Sequence, residues 1–288
     1  MYGFNRQNNP HIIRLTLLTL ELMNKIISSI LLTICVLYTF YSCSEPSRTS
    51  EFREFVIKSE DGKTRTGGIY LPKGITPKDK LPVIYMADGL VFNDCNYGRM
   101  LDSLIDNKCI MPVVVACSYE DKTTIPGYNL SYRNAEYVET LARDDNELAQ
   151  LFDNHYSYFL NEFIPYIESN APVSTSIEDR IFYGTSNSAD FGITLSLREQ
   201  GMMDEYWCYS PVYSDIKDYG MITTPTSYRI CWGAKEEVVM FDYFPSLMKD
   251  IRKRGGSVHS WVFNGGHDRD WWKYWFGQEL ERRFPYKQ

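Results

Sequence analysis

Apolar and polar positions follow two different periods along the chain, and these periods distinguish strands from helices. Two short apolar runs rich in β-branched residues, Leu81–Ala87 and Met111–Cys117, are typical of strands buried on both faces of a sheet. Two earlier runs, Phe52–Lys58 and Arg65–Leu71, flank turn residues at 60–62 and predict an antiparallel pair.

Strands and helices then alternate along the chain. Further strands are predicted at Arg180–Tyr183, Tyr206–Tyr209, Tyr228–Trp232 and Ser257–Phe263. Apolar residues at helical spacing predict helices at Tyr97–Asp106, Glu147–Glu168, Val238–Arg254 and Asp270–Arg282. Such alternation is typical of a mostly parallel sheet with helices on both faces. The pattern therefore predicts a three-layer α/β domain that spans residues 52–288.

The first 42 residues have a pattern of their own. The run Ile26–Phe40 is apolar and uncharged, and Lys25 precedes it, as in a secretory signal. The run is shorter than the roughly 20 residues that a membrane-spanning helix needs. We expect such a signal to start at Met23 rather than at Met1, although residues 11–22 could instead lengthen the apolar segment. An uncleaved membrane anchor is the alternative.

The end of this segment resembles a bacterial lipobox, whose cysteine is lipidated and becomes the mature N-terminus. The tetrapeptide at residues 40–43 ends in Cys43, and a polar linker at 43–51 follows it. We therefore expect an exported protein, a periplasmic or cell-surface lipoprotein of a bacterium that is attached to a membrane through Cys43.

Composition narrows the function classes. The 288 residues include 44% hydrophobic side chains, enough for one substantial core. The net charge of −7 and the absence of a long basic stripe argue against nucleic acid as a partner. The cysteines lack metal-ligand spacing, so no metal site is expected. Abundant Tyr and Trp suit a cleft for sugar or aryl groups, and nothing in the sequence specifies an oligomeric state.

Ser186 is the candidate nucleophile. It lies between a buried strand, Ile181–Tyr183, and an amphipathic helix around 191–197, which is the context of a nucleophile elbow. Elbows commonly read Gly-x-Ser-x-Gly because small residues fit the tight turn. Here Gly184 is present, but Ser188 replaces the second glycine. The alternative is a serine in an ordinary turn.

A serine nucleophile needs a base, and the chain has four histidines. His11 precedes the apolar run, and His155 lies in a helical pattern, where we expect it at the surface or the edge of the core. His259 lies within a strand, which favours packing over catalysis. His267 follows that strand in a glycine-rich loop, where catalytic groups of α/β sheets collect. A surface-loop histidine is the alternative.

An acid should orient the histidine, and α/β-hydrolases place it between serine and histidine in sequence. Glu236 and Glu237 follow the strand Tyr228–Trp232 and meet this requirement. Either carboxylate could instead cap the helix that starts near Val238, because a helix N-terminus favours negative charge.

Five segments together resemble the putative-esterase family of α/β-hydrolases, and the resemblance runs from Phe52 to Phe284. The segments are YMADG (85–89), YRNAEY (132–137), GTSNSA (184–189), GAKEEVVM (233–240) and GGHDRDWWKYW (265–275). This family includes enterochelin esterases, feruloyl and acetyl-xylan esterases, S-formylglutathione hydrolases and mycolyltransferases. The resemblance implies the three-layer α/β-hydrolase fold, and its enterochelin-esterase branch favours Glu236 over Glu237 as the acid.

The resemblance also implies the remaining site residues. The oxyanion hole would use the backbone amides of Asn187 and Leu90, with Gly89 allowing the turn. Arg133, Tyr137 and Trp271 would bind substrate near the mouth of the site. A structural salt bridge at Arg133 and Glu136 is the alternative.

The combined interpretation is a secreted serine esterase that hydrolyses carboxylic esters through an acyl-enzyme, without metal or cofactor. Acyl or feruloyl esters on carbohydrate are preferred as substrates, because the predicted cap segment Ser118–Asn146 is rich in Tyr and poor in cations. A polyanionic ferric siderophore would require a dense cluster of cations. The alternatives are a siderophore esterase, a non-catalytic surface lipoprotein with this fold, or a related acyltransferase or peptidase.

Overall fold

The computed structural model describes residues 49–237 and 239–287, together with Met23 and Lys25. The chain divides into two units, Met1–Glu45 and Pro46–Gln288, and the second contains all the elements below. The predicted signal, apart from Met23 and Lys25, and the lipobox with Cys43 lie outside the described residues. No helix within the described part is long and apolar enough to cross a membrane.

One eight-stranded sheet forms the centre of this unit. The strands are β1 Glu51–Lys58, β2 Thr64–Leu71, β3 Val83–Met86, β4 Val114–Ser118, β5 Arg180–Thr185, β6 Glu205–Tyr209, β7 Ser227–Gly233 and β8 Ser257–Phe263. Their order is β1-β2-β4-β3-β5-β6-β7-β8. Strand β2 pairs antiparallel with β1 and β4, and the other neighbours pair in parallel. The predicted mostly parallel α/β fold is confirmed.

Helices connect these strands. They are α1 Leu90–Asp94, α2 Tyr97–Asp106, α3 Tyr132–Tyr137, α4 Glu139–Ala142, α5 Asn146–Tyr158, α6 Ile164–Asn170, α7 Asn187–Arg198, α8 Val239–Lys253 and α9 Arg269–Arg283. A π-helical turn, Phe159–Phe163, joins α5 to α6, so the single helix predicted at 147–168 is two helices with this turn between them. The short helices α1, α3 and α4 were not predicted.

The core occupies both faces of the sheet. On β5, Phe182 packs into one cluster, whereas Ile181 and Tyr183 pack into the other, as the alternation of a strand requires. His155 packs against Tyr137 and Phe191 of the first cluster and is only 2% exposed, so the predicted position at the surface or the edge of the core was wrong. Burial, together with the nearby charge of Arg65, holds the pKa of His155 well below its usual value.

Candidate active site

The turn between β5 and α7 has the geometry of a nucleophile elbow. Ser186 adopts φ 57° and ψ −127°, a backbone conformation that is uncommon for any residue except glycine. Gly184 has no space for a side chain, because an added Cβ would lie 2.4 Å from the backbone oxygen of Ser188. The strained strand–turn–helix arrangement expected from the motif is therefore present.

Ser188, which departs from the usual glycine, fits this turn through its hydroxyl group. The side chain is fully buried. Its Oγ accepts a hydrogen bond from the N–H of Thr185 and donates one to the carbonyl oxygen of the same residue, both at 2.8 Å. The serine thus binds the end of β5 to the start of α7 instead of opening the elbow.

The loops that follow β7 and β8 carry the acid and the histidine. The N–H of Lys235 donates to the carbonyl of Gly265 (2.8 Å), which holds the two loops together. Gly233 permits this contact, since a Cβ there would lie 2.2 Å from that carbonyl oxygen. As a result, Nδ1 of His267 lies 3.2 Å from Oε2 of Glu236.

Glu236 rather than Glu237 faces the histidine. The Glu236 side chain is 1% exposed, whereas Glu237 is exposed to solvent. Burial alone would raise the pKa of Glu236, but hydrogen bonds from His267, the Gly233 N–H and Ser210 outweigh it and lower the pKa. The carboxylate is therefore ionised at neutral pH and holds Nδ1–H of the imidazole, which leaves Nε2 to exchange protons.

Ser186 and His267 line one cleft of about 260 Å³ at the carboxyl end of the parallel strands. The other lining residues are Asp88, Val91, Glu120, Lys122, Arg133, Thr185, Arg269 and Trp272. The Trp272 ring meets the imidazole edge to face, with 4.7 Å between the ring centroids. The structure thus brings together the three residues assigned to the triad; their catalytic roles stay predictions.

The predicted oxyanion amides differ in their surroundings. Asn187 is the first residue of α7, so its N–H has no partner within the helix. The Leu90 N–H instead donates to Oε2 of Glu120 at 3.2 Å. In the turn before it, Asp88 has the positive φ of 58°, whereas the adopted φ of Gly89 is −63°. Gly89 allows the turn through its missing side chain, since an added Cβ would lie 2.6 Å from the Cβ of Cys117 and 2.9 Å from the carbonyl oxygen of Ser118.

Of the three predicted substrate-binding residues, only Arg133 lines the cleft. Tyr137 is fully buried and its hydroxyl accepts the Asp88 N–H, so it holds the turn and cannot reach a ligand. The guanidinium of Arg133 forms two hydrogen bonds to the Asp88 carboxylate. It is therefore in a salt bridge, as the alternative expected, but its partner is Asp88 and not Glu136. Trp271 stacks on Phe263 and is not among the cleft residues.

Most of the cleft's charges are paired. Lys122 lies 2.6 Å from Oε1 of Glu120, and Arg133 is paired with Asp88. Arg269 lines the same cleft, and its guanidinium makes no hydrogen bond or ion pair with the residues that the structure describes. Sequence reasoning missed Glu120 and Arg269, for which no motif gave a signal, although Arg269 lies within the segment quoted for His267.

An elbow serine, a carboxylate-bound histidine and a mostly parallel eight-stranded sheet define the chain as an α/β-hydrolase. A family model described as "Putative esterase" matches residues 59–242, which is more than half of the chain. The chain therefore belongs to the putative-esterase family, as the sequence segments had indicated. No match is found among curated proteins.

Solved structures of similar fold include esterases of different specificities. A ferulic acid esterase is 16% identical, with a TM-score of 0.63, over 82% of this chain and 98% of its own. The BES protein from Bacillus cereus is 14% identical, with a TM-score of 0.62, over 82% and 97%. The enterobactin esterase FES from Shigella flexneri is 16% identical, with a TM-score of 0.60, over 81% of this chain and 59% of its own.

Proposed function

We propose that the protein is an exported serine esterase that hydrolyses carboxylic esters through Ser186, His267 and Glu236. The observation that carries this proposal is the meeting of the elbow serine and the carboxylate-bound imidazole in one cleft. Three separate loops supply these residues. Three suitable side chains from distant parts of the sequence are not expected to lie together by chance. Family membership supports the ester bond as the target.

The reaction follows from the chemistry of the three side chains. Nε2 of His267 takes the proton from the Ser186 hydroxyl as its oxygen attacks the ester carbonyl, and Glu236 stabilises the imidazolium. The imidazolium then protonates the leaving alcohol, and an acyl-enzyme remains on Ser186. Water, deprotonated by the same nitrogen, attacks the acyl group and releases the carboxylic acid.

The developing oxyanion needs two N–H donors. Asn187 offers one directly. Leu90 offers the second only when the Glu120 carboxylate releases its N–H, so this step of the proposal requires Glu120 to turn toward Lys122. Lys122 is half exposed and can move with it.

For the substrate, we propose an acyl or feruloyl ester on carbohydrate. Three cations line the cleft. Glu120 neutralises Lys122, and Asp88 neutralises Arg133. Arg269 is the cleft cation whose guanidinium has no such partner within the described part of the chain. A polyanionic ferric siderophore would meet too little positive charge here. The siderophore-esterase alternative is supported by the likeness to an enterobactin esterase, which is a likeness of fold.

The catalytic part is tested with p-nitrophenyl acetate and a serine-reactive fluorophosphonate probe. We expect the wild type to hydrolyse the ester and to take up the probe. Ser186→Ala should lose both, with kcat lower by about 10⁶, and Glu236→Gln should lose about 10⁴ in kcat. Glu237→Gln is the matched control and should resemble the wild type. A folded wild-type protein that neither reacts nor labels would establish the non-catalytic alternative.

The substrate class is tested with the same preparation. Acetylated and feruloylated oligosaccharides are compared with ferric enterobactin by kcat/KM, with Ser186→Ala as the blank. We expect the oligosaccharides to be preferred. Efficient hydrolysis of ferric enterobactin, with no reaction on the oligosaccharides, would favour the siderophore alternative while leaving the serine mechanism in place.

The proposal also includes location. Export and attachment through a lipidated Cys43 are supported by the sequence of residues 25–43 alone. An outer position suits an enzyme that acts on large carbohydrate esters.

A further inference from the structure

Four side chains form a closed ring of contacts behind the cleft. His267 meets Oε2 of Glu236, and Oε1 of Glu236 accepts a hydrogen bond from the Ser210 hydroxyl at 2.6 Å. The Ser210 Oγ in turn accepts the indole N–H of Trp272 at 2.9 Å. The Trp272 ring closes the circle against the imidazole. Neither Ser210 nor its hydrogen bonds take part in the reaction described above.

The backbone holds Ser210 in a conformation that serine rarely adopts. Its φ is 51°, in the left-handed region that favours glycine. The residue is completely buried, and its N–H donates to the carbonyl of Cys231 at 2.7 Å. The segment directly after Ser210 is held as well, because the Asp190 carboxylate accepts hydrogen bonds from the N–H groups of Val212 and Tyr213.

The hydrogen bonds determine which way the Ser210 hydroxyl points. Because Trp272 donates to its oxygen, the hydroxyl directs its own hydrogen to Glu236. The Gly233 N–H donates to the same oxygen, Oε1, at 2.8 Å. Because Oε1 accepts two hydrogen bonds, the carboxylate cannot rotate freely, and Oε2 remains directed at the imidazole.

We propose that Ser210 is a positioning residue, which acts through Glu236 to keep the carboxylate aligned with His267. A glycine would suit the backbone at this position better, so the hydroxyl group is what the serine contributes. This inference deepens the proposed function and rests on it for the catalytic consequence, although the alignment itself can be measured without any reaction.

The test compares Ser210→Gly and Ser210→Ala with the full-length wild type. Glycine matches the backbone conformation, so Ser210→Gly should fold even where Ser210→Ala does not. Ser196→Ala is the matched control, because Ser196 is also fully buried and its hydroxyl also bonds an aromatic residue, Tyr228, away from the cleft. The first readout is the proton NMR signal of the His267 Nδ1–H, which donates to Glu236 and is identified by its absence in His267→Gln.

In Ser210→Gly we expect this signal to move upfield and to exchange faster with water, because a misaligned carboxylate accepts a weaker hydrogen bond from the Nδ1–H. We also expect kcat to fall about tenfold with KM unchanged. Ser196→Ala should show none of these changes. An Nδ1–H signal of His267 that is unchanged in Ser210→Gly would overturn the positioning role.

The two failures are distinguishable. An inactive wild type would contradict the proposed function, and the Nδ1–H signal would still decide the alignment. An active wild type, together with an unchanged Nδ1–H signal in Ser210→Gly, would contradict only the role of Ser210.

Discussion

Glu120 illustrates how one residue can oppose the chemistry of its neighbours. Its carboxylate holds the Leu90 N–H that the oxyanion would need, and its negative charge lies at the site where another negative charge develops. Two unit charges about 4 Å apart repel by about 4 kcal/mol at an effective dielectric constant of about 20. The Lys122 ammonium, which pairs with Glu120, offsets only part of this repulsion.

We therefore predict that Glu120→Gln raises kcat/KM for p-nitrophenyl acetate several-fold, because the neutral amide competes less for the Leu90 N–H and repels no oxyanion. Steady-state kinetics measure the change. Glu168→Gln is the control, since Glu168 is also ion-paired, with Arg180, and lies outside the cleft lining. A decrease in kcat/KM for Glu120→Gln would show that the carboxylate supports the Leu90 loop rather than blocking it.

Single residues were predictable where a motif or an elimination applied. Ser186 and His267 were selected in this way, and the structure brings them into one cleft. The direction of a side chain is a different matter. Successive residues on a helix point about 100° apart, so Trp272 faces the cleft and Trp271 does not. Tyr137 was misassigned for the same reason, because motif letters do not show that its hydroxyl turns inward under Asp88.

At the scale of elements, the Ser188 hydroxyl connects the end of β5 to the start of α7 through its hydrogen bonds to Thr185. We predict that Ser188→Gly lowers the free energy of unfolding by about 2–3 kcal/mol, since it leaves buried backbone groups of Thr185 less well paired and adds a flexible residue to a helix. Urea denaturation measures this change. The elbow itself depends on Gly184, so kcat/KM should stay within a few-fold of the wild type. A large gain in kcat/KM would indicate that Ser188 distorts the nucleophile.

Elements with strong periodicity were predicted closely, and weak ones were not. The strand Ser257–Phe263 and the helix Tyr97–Asp106 have the predicted bounds. The strand predicted from Met111 begins only at Val114, because Pro112 has no N–H to offer a neighbouring strand. The helix Tyr132–Tyr137 is short, and a capping box at Ser131 rather than an apolar stripe defines its start.

At the scale of the whole molecule, the order of the strands brings the site together. Strands β5, β6 and β7 are neighbours in the sheet, and β8 follows β7. Their carboxyl ends place the serine, the Ser210 loop, the acid and the histidine side by side. The alternation of strands and helices predicted a parallel sheet, but it did not predict which strands are neighbours. Strand β4 lies between β2 and β3, and β3 pairs with β5, through contacts between residues that are distant in sequence.

The last prediction concerns the attachment of the whole molecule to a membrane. If Cys43 becomes the lipidated N-terminus, a bacterial host grown with a palmitate analogue should label the protein, and Cys43→Ala should abolish the label. Cys35→Ala is the matched control, because Cys35 lies in the apolar run that would be removed with the signal, so this variant should keep the label. Detergent extraction of the membrane fraction measures the attachment itself. Labelling that persists in Cys43→Ala would contradict the lipoprotein proposal and leave the esterase proposal unaffected.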